Sequence, residues 1–242
     1  MFLGGSVTEE VFQQIADTAR KLYEQSTGDT GTVLHAIVKS AVDEIPGAQH
    51  AGITTAVNGA QLDTRAATGC HASTIDEIQV AVREGPSMTA AKEKHPVLFV
   101  DDVAADDRWS AYRDAVLEHT PIRSLMSYRL FTGGRTLGAL NVYAEQANAF
   151  SSEAKELGRV VATHAALAWD SARRQDNFRI ALASRDMIGQ AKGILMERFD
   201  TDSEASFELL RQMSQDSNIP VKDVARIVVE ERGAKLRPER PR

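Results

Sequence analysis

The sequence predicts an α+β domain, a mostly antiparallel sheet flanked by helices, followed by a long connector helix and a small all-α bundle of three helices. Three observations carry this expectation. Five short apolar runs lie between residues 51 and 144, separated by turn residues and helical segments, which is the pattern of a sheet with helices packed on it. From Ser152 past residue 172 there is no proline and only Gly158 as a breaker, and the helical pattern continues toward Phe199. Between residues 184 and 229 three apolar stripes recur at helical spacing, each too short to bury much alone, so the three helices must pack on one another.

Taken in order, residues 8–23 form an amphipathic helix with Val11, Ile15, Ala19 and Leu22 on one face. A second helix covers about 32–44, with Val33, Ile37 and Ala41 aligned, and Pro46-Gly47 ends it. Residues 51–57 and 62–68 read as antiparallel strands, because Asn58-Gly59 between them tolerates positive φ at both turn positions. Gly69 to Ala72 reads as a turn into a helix at 74–83, and Gly85-Pro86 separates that helix from a shorter one at 87–94. The apolar run 97–100 is a buried strand, four aspartates follow it, and 110–119 is a helix. Strands at 124–131 and 137–144 are joined by the glycine-rich loop Thr132-Gly133-Gly134-Arg135.

Within the connector, Leu157, Val161, His164 and Ala168 fall at a/d-like spacing, as do Phe178, Leu182 and Arg185, while 173–177 is wholly polar. This predicts a homodimer seam at Leu157, Val161, Ala168, Phe178 and Leu182, with a weakened middle at 173–177. In the bundle, Met187, Ala191, Ile194 and Leu195 form the first stripe and Phe207, Leu210 and Met213 the second. Val221, Val224, Ala225 and Val228 form the third. Thr201-x-x-Glu204 has the form of a capping box, and Pro220 suits the first turn of the last helix because its missing N–H is not needed there. The domain boundaries expected are 8–170 for the first domain, 171–183 for the connector, 184–232 for the bundle and 233–242 for an Arg/Pro-rich tail.

Composition bounds the function. The 242 residues are 43% hydrophobic and 26% charged, as in ordinary globular chains. No apolar run reaches the roughly 18 residues of a membrane helix. The N-terminal residues lack the basic and apolar regions of a secretory signal, so a cytoplasmic location is expected. A single cysteine, Cys70, excludes an internal disulfide and a multi-cysteine metal site. The net charge of −6 argues against a generic nucleic-acid binder, yet residues 173–242 hold 14 basic and 12 acidic side chains. Affinity for a polyanion follows the local field, so any nucleic-acid contact here must rest on a shaped patch.

The last of these segments resembles the ANTAR domain, an RNA-binding module of bacterial transcription antiterminators. The resemblance lies in Ala191-Lys192-Gly193-Ile194-Leu195-Met196, in Ala205, Phe207, Leu209, Leu210 and Arg211, and in Asn218 followed by Lys222-Asp223-Val224-Ala225. It departs at Asp200, where the family usually has a turn glycine, and at Ser214, where alanine is common. Residues 8–170 resemble a GAF domain, a sensor related in fold to PAS domains, through Glu84-Gly85-Pro86-Ser87, Val100-Asp101-Asp102, Asp107-Arg108-Trp109, Gly138-Ala139-Leu140-Asn141-Val142 and Ala149-Phe150-Ser151. Ser87 stands where the family often has a cysteine. The two resemblances imply an RNA-binding antitermination regulator with leader-transcript hairpins as its partner, acting as a homodimer under control of a signal or small molecule. No residue identifies that ligand or a cofactor. The RNA-contact candidates are Lys192 and Gly193 first, then Arg198, Arg211, Asn218 and Lys222, with Arg185 as a flank; Arg226 is a further basic candidate.

Other constellations read as structural. Cys70 and His71 are adjacent in a turn and do not meet as a nucleophile–base dyad. Asp101, Asp102, Asp106 and Asp107 match no calcium loop and suit capping and turns. Gly133-Gly134 lacks the lysine and following helix of a phosphate loop. His164 suits packing. No catalytic or metal residue is therefore assigned. Two alternatives to the RNA regulator stay open: a GAF-type methionine sulfoxide reductase, whose chemistry needs an attacking and a resolving cysteine, and a DNA-binding three-helix module.

Overall fold

The computed structural model describes Arg20 and residues 28–57, 61–93 and 97–235. The expected helix at 8–23, apart from Arg20, the Asn58-Gly59 turn and the tail after 235 lie outside the described residues. The chain divides into two compact units, 1–174 and 175–242.

In the first unit five strands form one antiparallel sheet in the order β2-β1-β5-β4-β3. They are β1 His50–Val57, β2 Gln61–Ala67, β3 Val97–Val100, β4 Ser124–Thr132 and β5 Arg135–Ala144. Gly133 and Gly134 close the β4–β5 hairpin with φ of 53° and 78°, the twist a two-residue hairpin needs. Successive side chains alternate between the faces. One face carries Ile53, Met126, Tyr128, Leu130, Leu140 and Val142 into a core shared with helix α1 (Thr30–Glu44) and the first part of α5 (Ser152–Phe199). The other carries Leu98, Val100, Leu125 and Tyr143 against α2 (Cys70–Val82) and α4 (Ser110–His119). The short helix α3, Pro86–Glu93, follows α2.

Helix α2 starts at Cys70, four residues before the expected 74, because Gly69 takes the extended capping conformation and the Cys70 carbonyl already accepts from Thr74 Oγ1 at 3.1 Å. Its first turn lies on β1: a Cβ on Gly52 would come within 2.9 Å of the Ala72 methyl. Gly158 has a similar reason. A side chain there would collide with the Tyr128 ring, whose hydroxyl donates to the Lys155 carbonyl at 2.9 Å.

The polar stretch 173–177 does not interrupt α5, which is helical from Ser152 to Phe199. The buried Asp170 accepts from Arg173 at 2.6 Å and from Arg174 at 2.9 Å, and such i,i+3 and i,i+4 pairs support a helix. The expected seam is not a single open face. Val161 and Ala168 are buried in the first unit's own core and Leu157 is buried too, whereas Phe178 and Leu182 are 70% and 51% exposed. The upstream positions are consumed by packing within the chain.

The second unit is a bundle of the end of α5, α6 (Ser203–Ser217) and α7 (Val221–Lys235) around Ala191, Ile194, Leu195, Leu210, Val224, Ala225 and Val228. Two expectations need correction. Thr201 does not cap α6: Asp202 does, its carboxylate accepting from the Glu204 and Ala205 amides at 2.9 and 2.8 Å. Asp reaches both orphan donors with one oxygen, so no reciprocal box forms. The buried face of α6 is Ser206 and Leu210, with Leu209 half-buried, and Phe207 and Met213 are exposed. Ser206, 0% exposed, puts its small side chain at the contact and donates to the Ser203 carbonyl. Asp200, in the usual glycine position, has φ of 48°. The Ser214 hydroxyl donates to the Ile219 carbonyl at 2.5 Å, so the departure from alanine adds a bond to the α6–α7 turn.

Candidate nucleic-acid interface

Arg185, Gly189 and Lys192 lie at i, i+4 and i+7 of α5, one stripe along the helix. Gly193 adjoins it. Ala191, Ile194 and Leu195 on the other side anchor the helix in the bundle core, which fixes the direction in which the stripe points. A Cβ on Gly189 or Gly193 would meet nothing within 4 Å among the described residues. Neither glycine is needed for packing against the described residues, although each costs about 1 kcal/mol of helix propensity relative to alanine. The result is a strip of nearly bare backbone between two cations.

Lys192 leans toward α6, with Nζ 5.9 Å from the centre of the exposed Phe207 ring. Arg211 lies one turn beyond Phe207, so Lys192 and Arg211 flank one aromatic. Their charges are not equivalent. Arg211 is bonded to Glu208 through Nε at 3.0 Å and Nη2 at 2.9 Å, whereas Lys192 makes no ion pair among the described residues. Glu208 and Asp216 also line a shallow recess with Phe199, Leu209 and Arg211, which lowers the positive field on that side.

The remaining candidates separate. Arg198 is six positions beyond Lys192, about 240° around the helix, so it faces elsewhere. Asn218 ends α6 in the left-handed conformation with φ of 55°, and its amide bonds to the Gln215 carbonyl; its side chain is exposed. Lys222 is exposed at the start of α7, and Arg226 is paired with Asp223 at 2.8 Å. The sequence reading missed Gly189 and misread Phe207. A glycine pair four apart on a helix was the available signal for the first. The helical spacing of Phe207 suits a core position, but apolar character alone does not say which of two adjacent stripes faces inward.

The first unit contains a buried polar relay. Ser127 Oγ donates to Asn141 Oδ1 at 2.7 Å, Asn141 Nδ2 to Thr54 Oγ1 at 3.1 Å, and Thr54 and Thr64 both donate to Asp76 Oδ2 at 2.6 Å. Gln79 then links Asp76 to Ser87, accepting from the Ser87 amide at 2.7 Å. Ser87 is thus part of a structural network. Burial raises the Asp76 carboxyl above its usual range despite the two threonine bonds. The Tyr112 hydroxyl is buried with no hydrogen-bond partner among the described residues, and burial raises its pKa as well. Such groups are uncommon in native cores.

The four clustered aspartates are each engaged. Asp101 pairs with Lys155, Asp102 with Arg123, Asp106 with Arg108 and Asp107 with Arg113. Asp102 also caps the turn at Val103–Ala105. The neighbouring arginine holds the Asp106 carboxyl below its ordinary range. Cys70 is exposed and His71 packs edge-on to His50 at 4.9 Å, so the two do not form a dyad. His164 is half-buried on α5.

A GAF domain family model matches residues 8–170 and an ANTAR domain model matches 176–229. No curated protein matches the chain. Among solved structures, the GAF domain of a phosphoenolpyruvate-protein phosphotransferase from Coxiella burnetii superposes with a TM-score of 0.53 at 15% identity, covering 68% of this chain and 98% of that one. The corresponding Acinetobacter domain gives 0.52 at 13%, covering 67% and 97%. The chromophore-binding domain of a bacteriophytochrome from R. palustris gives 0.52 at 10%, covering 69% of this chain; the chain spans only 63% of that structure's length. At these identities the likeness is one of fold. No described helix is long and apolar enough to cross a membrane. With the sheet order, the bundle and both family matches in agreement, the chain belongs to the GAF family and carries its GAF domain ahead of an ANTAR domain, the architecture of an antitermination regulator.

Proposed function

We propose that the ANTAR bundle binds hairpin loops of a leader transcript through the Arg185–Gly189–Lys192–Gly193 strip, and that the GAF domain adjusts this binding in response to a small molecule. The observation that carries the reading is the pair of exposed helical glycines beside a lysine with no ion pair among the described residues. Sequence-specific RNA recognition favours unstacked loop bases. A bare strip of helix lets such a loop approach the backbone, Lys192 meets phosphate, and the exposed Phe207 ring is available for stacking. Lys222, Asn218 and Arg198 serve as outlying contacts. The buried Tyr112 hydroxyl and the Asp76 relay support ligand sensing, as polar groups inside an otherwise apolar core.

Two copies of the chain pair, in this reading, through the exposed Phe178 and Leu182 of α5, one turn apart on one face, presenting two bundles to two hairpins. A regulatory role agrees with the lone exposed cysteine, since reductase chemistry would need a second thiol. Duplex DNA is a weaker fit: between residues 220 and 230 the last helix offers Lys222, while Arg226 is tied to Asp223. The test is a side-by-side titration of a leader hairpin and a duplex DNA of equal length with the full chain. Preference for the hairpin is expected. Equal or stronger affinity for the duplex sinks the RNA reading.

A further inference from the structure

His50, His71 and Glu145 come from three distant parts of the first unit, and one ligand atom of each lies within 4.8 Å of the others. We propose that they form a binding site for a divalent first-row transition metal ion, with zinc the natural probe. The site stands independently of the RNA reading.

The backbone brings these donors together. His50 opens β1 in register with Tyr143 of β5. Gln49 then ties the two chain segments twice, donating its amide to the Tyr143 carbonyl at 3.0 Å and accepting from the Glu145 amide with its side chain at 2.7 Å. This sets Glu145 beside His50, and His50 Nε2 lies 3.1 Å from Glu145 Oε1. His71 is the second residue of α2. The close seat of Ala72 on Gly52 holds that turn against β1, and Thr68 Oγ1 accepts from the Ala51 amide at 3.0 Å just before it. The His71 ring therefore meets His50 edge-on at 4.9 Å.

The chemistry of the donors selects the ion. Two imidazole nitrogens and one carboxylate oxygen suit zinc and its neighbours, whereas calcium and magnesium want oxygen throughout. Zinc bonds to N and O at about 2.0–2.2 Å, which sets tetrahedral donors roughly 3.3 Å apart. His50 and Glu145 are already at that spacing. Both histidines are half-buried and Glu145 is exposed, so small side-chain rotations bring the third donor in and leave one coordination position facing solvent. A surface His–Glu pair alone accounts for two of these residues but gives no reason for His71. An ion held here ties the start of β1, the end of β5 and the first turn of α2 together, and α2 carries Asp76 of the polar relay.

The experiment uses the untagged full chain, freed of metal by chelation, titrated with zinc in competition with a chromophoric chelator. One zinc per chain is expected, with no binding of magnesium or calcium. His50→Ala, His71→Ala and Glu145→Gln should each weaken it by at least roughly tenfold, since even outer-shell changes have effects of that size; His119→Ala should not. His71→Ala decides between a metal site and an ion pair. Absence of stoichiometric zinc binding, or binding unchanged by His71→Ala, overturns the proposal. Proton NMR of the unmodified chain guards against misfolded variants: zinc should shift the ring signals of His50 and His71 and not those of His35, His119 or His164, and any other pattern counts against the site.

Discussion

Lys192 and Arg211 carry the same charge in different company, and the difference is measurable. Arg211 shares its guanidinium with Glu208, so its net pull on phosphate is small. Lys192→Ala should weaken hairpin binding and reduce the log–log salt slope by roughly 0.7, the value for one phosphate contact on a single strand. Arg211→Ala should do less, and Glu208→Gln should tighten binding by freeing Arg211. Hairpin binding left unchanged by Glu208→Gln would show that Arg211 is not near the RNA. Asp76 makes a prediction of a different kind. Its pKa is raised in the folded state, mainly by burial, so the native chain holds this proton more tightly than the unfolded chain. Between the ordinary value of 3.8 and the raised one, the folded state binds more protons, and stability falls as pH rises. Asp76→Asn keeps an acceptor for Thr54 or Thr64 and removes the titration. Urea unfolding of parent and variant across that window should show the parent losing stability relative to the variant with rising pH; a constant difference would mean that Asp76 does not titrate there.

At the level of the helix, α5 holds glycines with opposite reasons. Gly158 is required, because Tyr128 fills the space beside it. Gly158→Ala should destabilise the first unit by about 1–3 kcal/mol through overpacking. Gly193 has open space, so Gly193→Ala should raise the stability of the bundle by up to about 1 kcal/mol. If the strip contacts RNA through its backbone, the same substitution should weaken hairpin binding. Thermal unfolding together with a hairpin titration reads both signs at once. A more stable variant that binds hairpin as well as the parent would remove close approach as the reason for this glycine.

For the molecule as a whole, the question is what covers the apolar residues of α5 that the chain leaves exposed. Leu157 and Val161 are buried within the first unit, so charging them tests folding rather than association. Phe178 and Leu182 are exposed, and burying a large apolar side chain contributes about 1.5–3 kcal/mol. Phe178→Glu with Leu182→Glu should therefore shift a dimer to monomer in sedimentation at micromolar concentration while leaving far-UV circular dichroism unchanged. A parent chain that sediments as a monomer would dispose of the seam.

Much of the architecture was legible in local pattern. The five strands, the helix at Ser110–His119 and the extent of α5 all follow from periodicity and breakers, because each is decided by residues close in sequence. The core stripes of α5 and α7 in the bundle were legible for the same reason. What the sequence alone could not determine is which of two neighbouring stripes faces inward. Phe207 is exposed and Ser206 buried because α6 meets α5 and α7 along a contact where a small residue fits. The seam was misread likewise: Leu157, Val161 and Ala168 have dimer spacing, but the first unit consumed them first. The sequence marked Lys192 and Gly193 as the candidate site, through the resemblance they carry. Only the tertiary structure paired Arg211 with Glu208, left Lys192 without an ion pair among the described residues and set His71 against His50. Charge pairing and donor convergence depend on distances between segments far apart in the chain, and no local pattern encodes those distances.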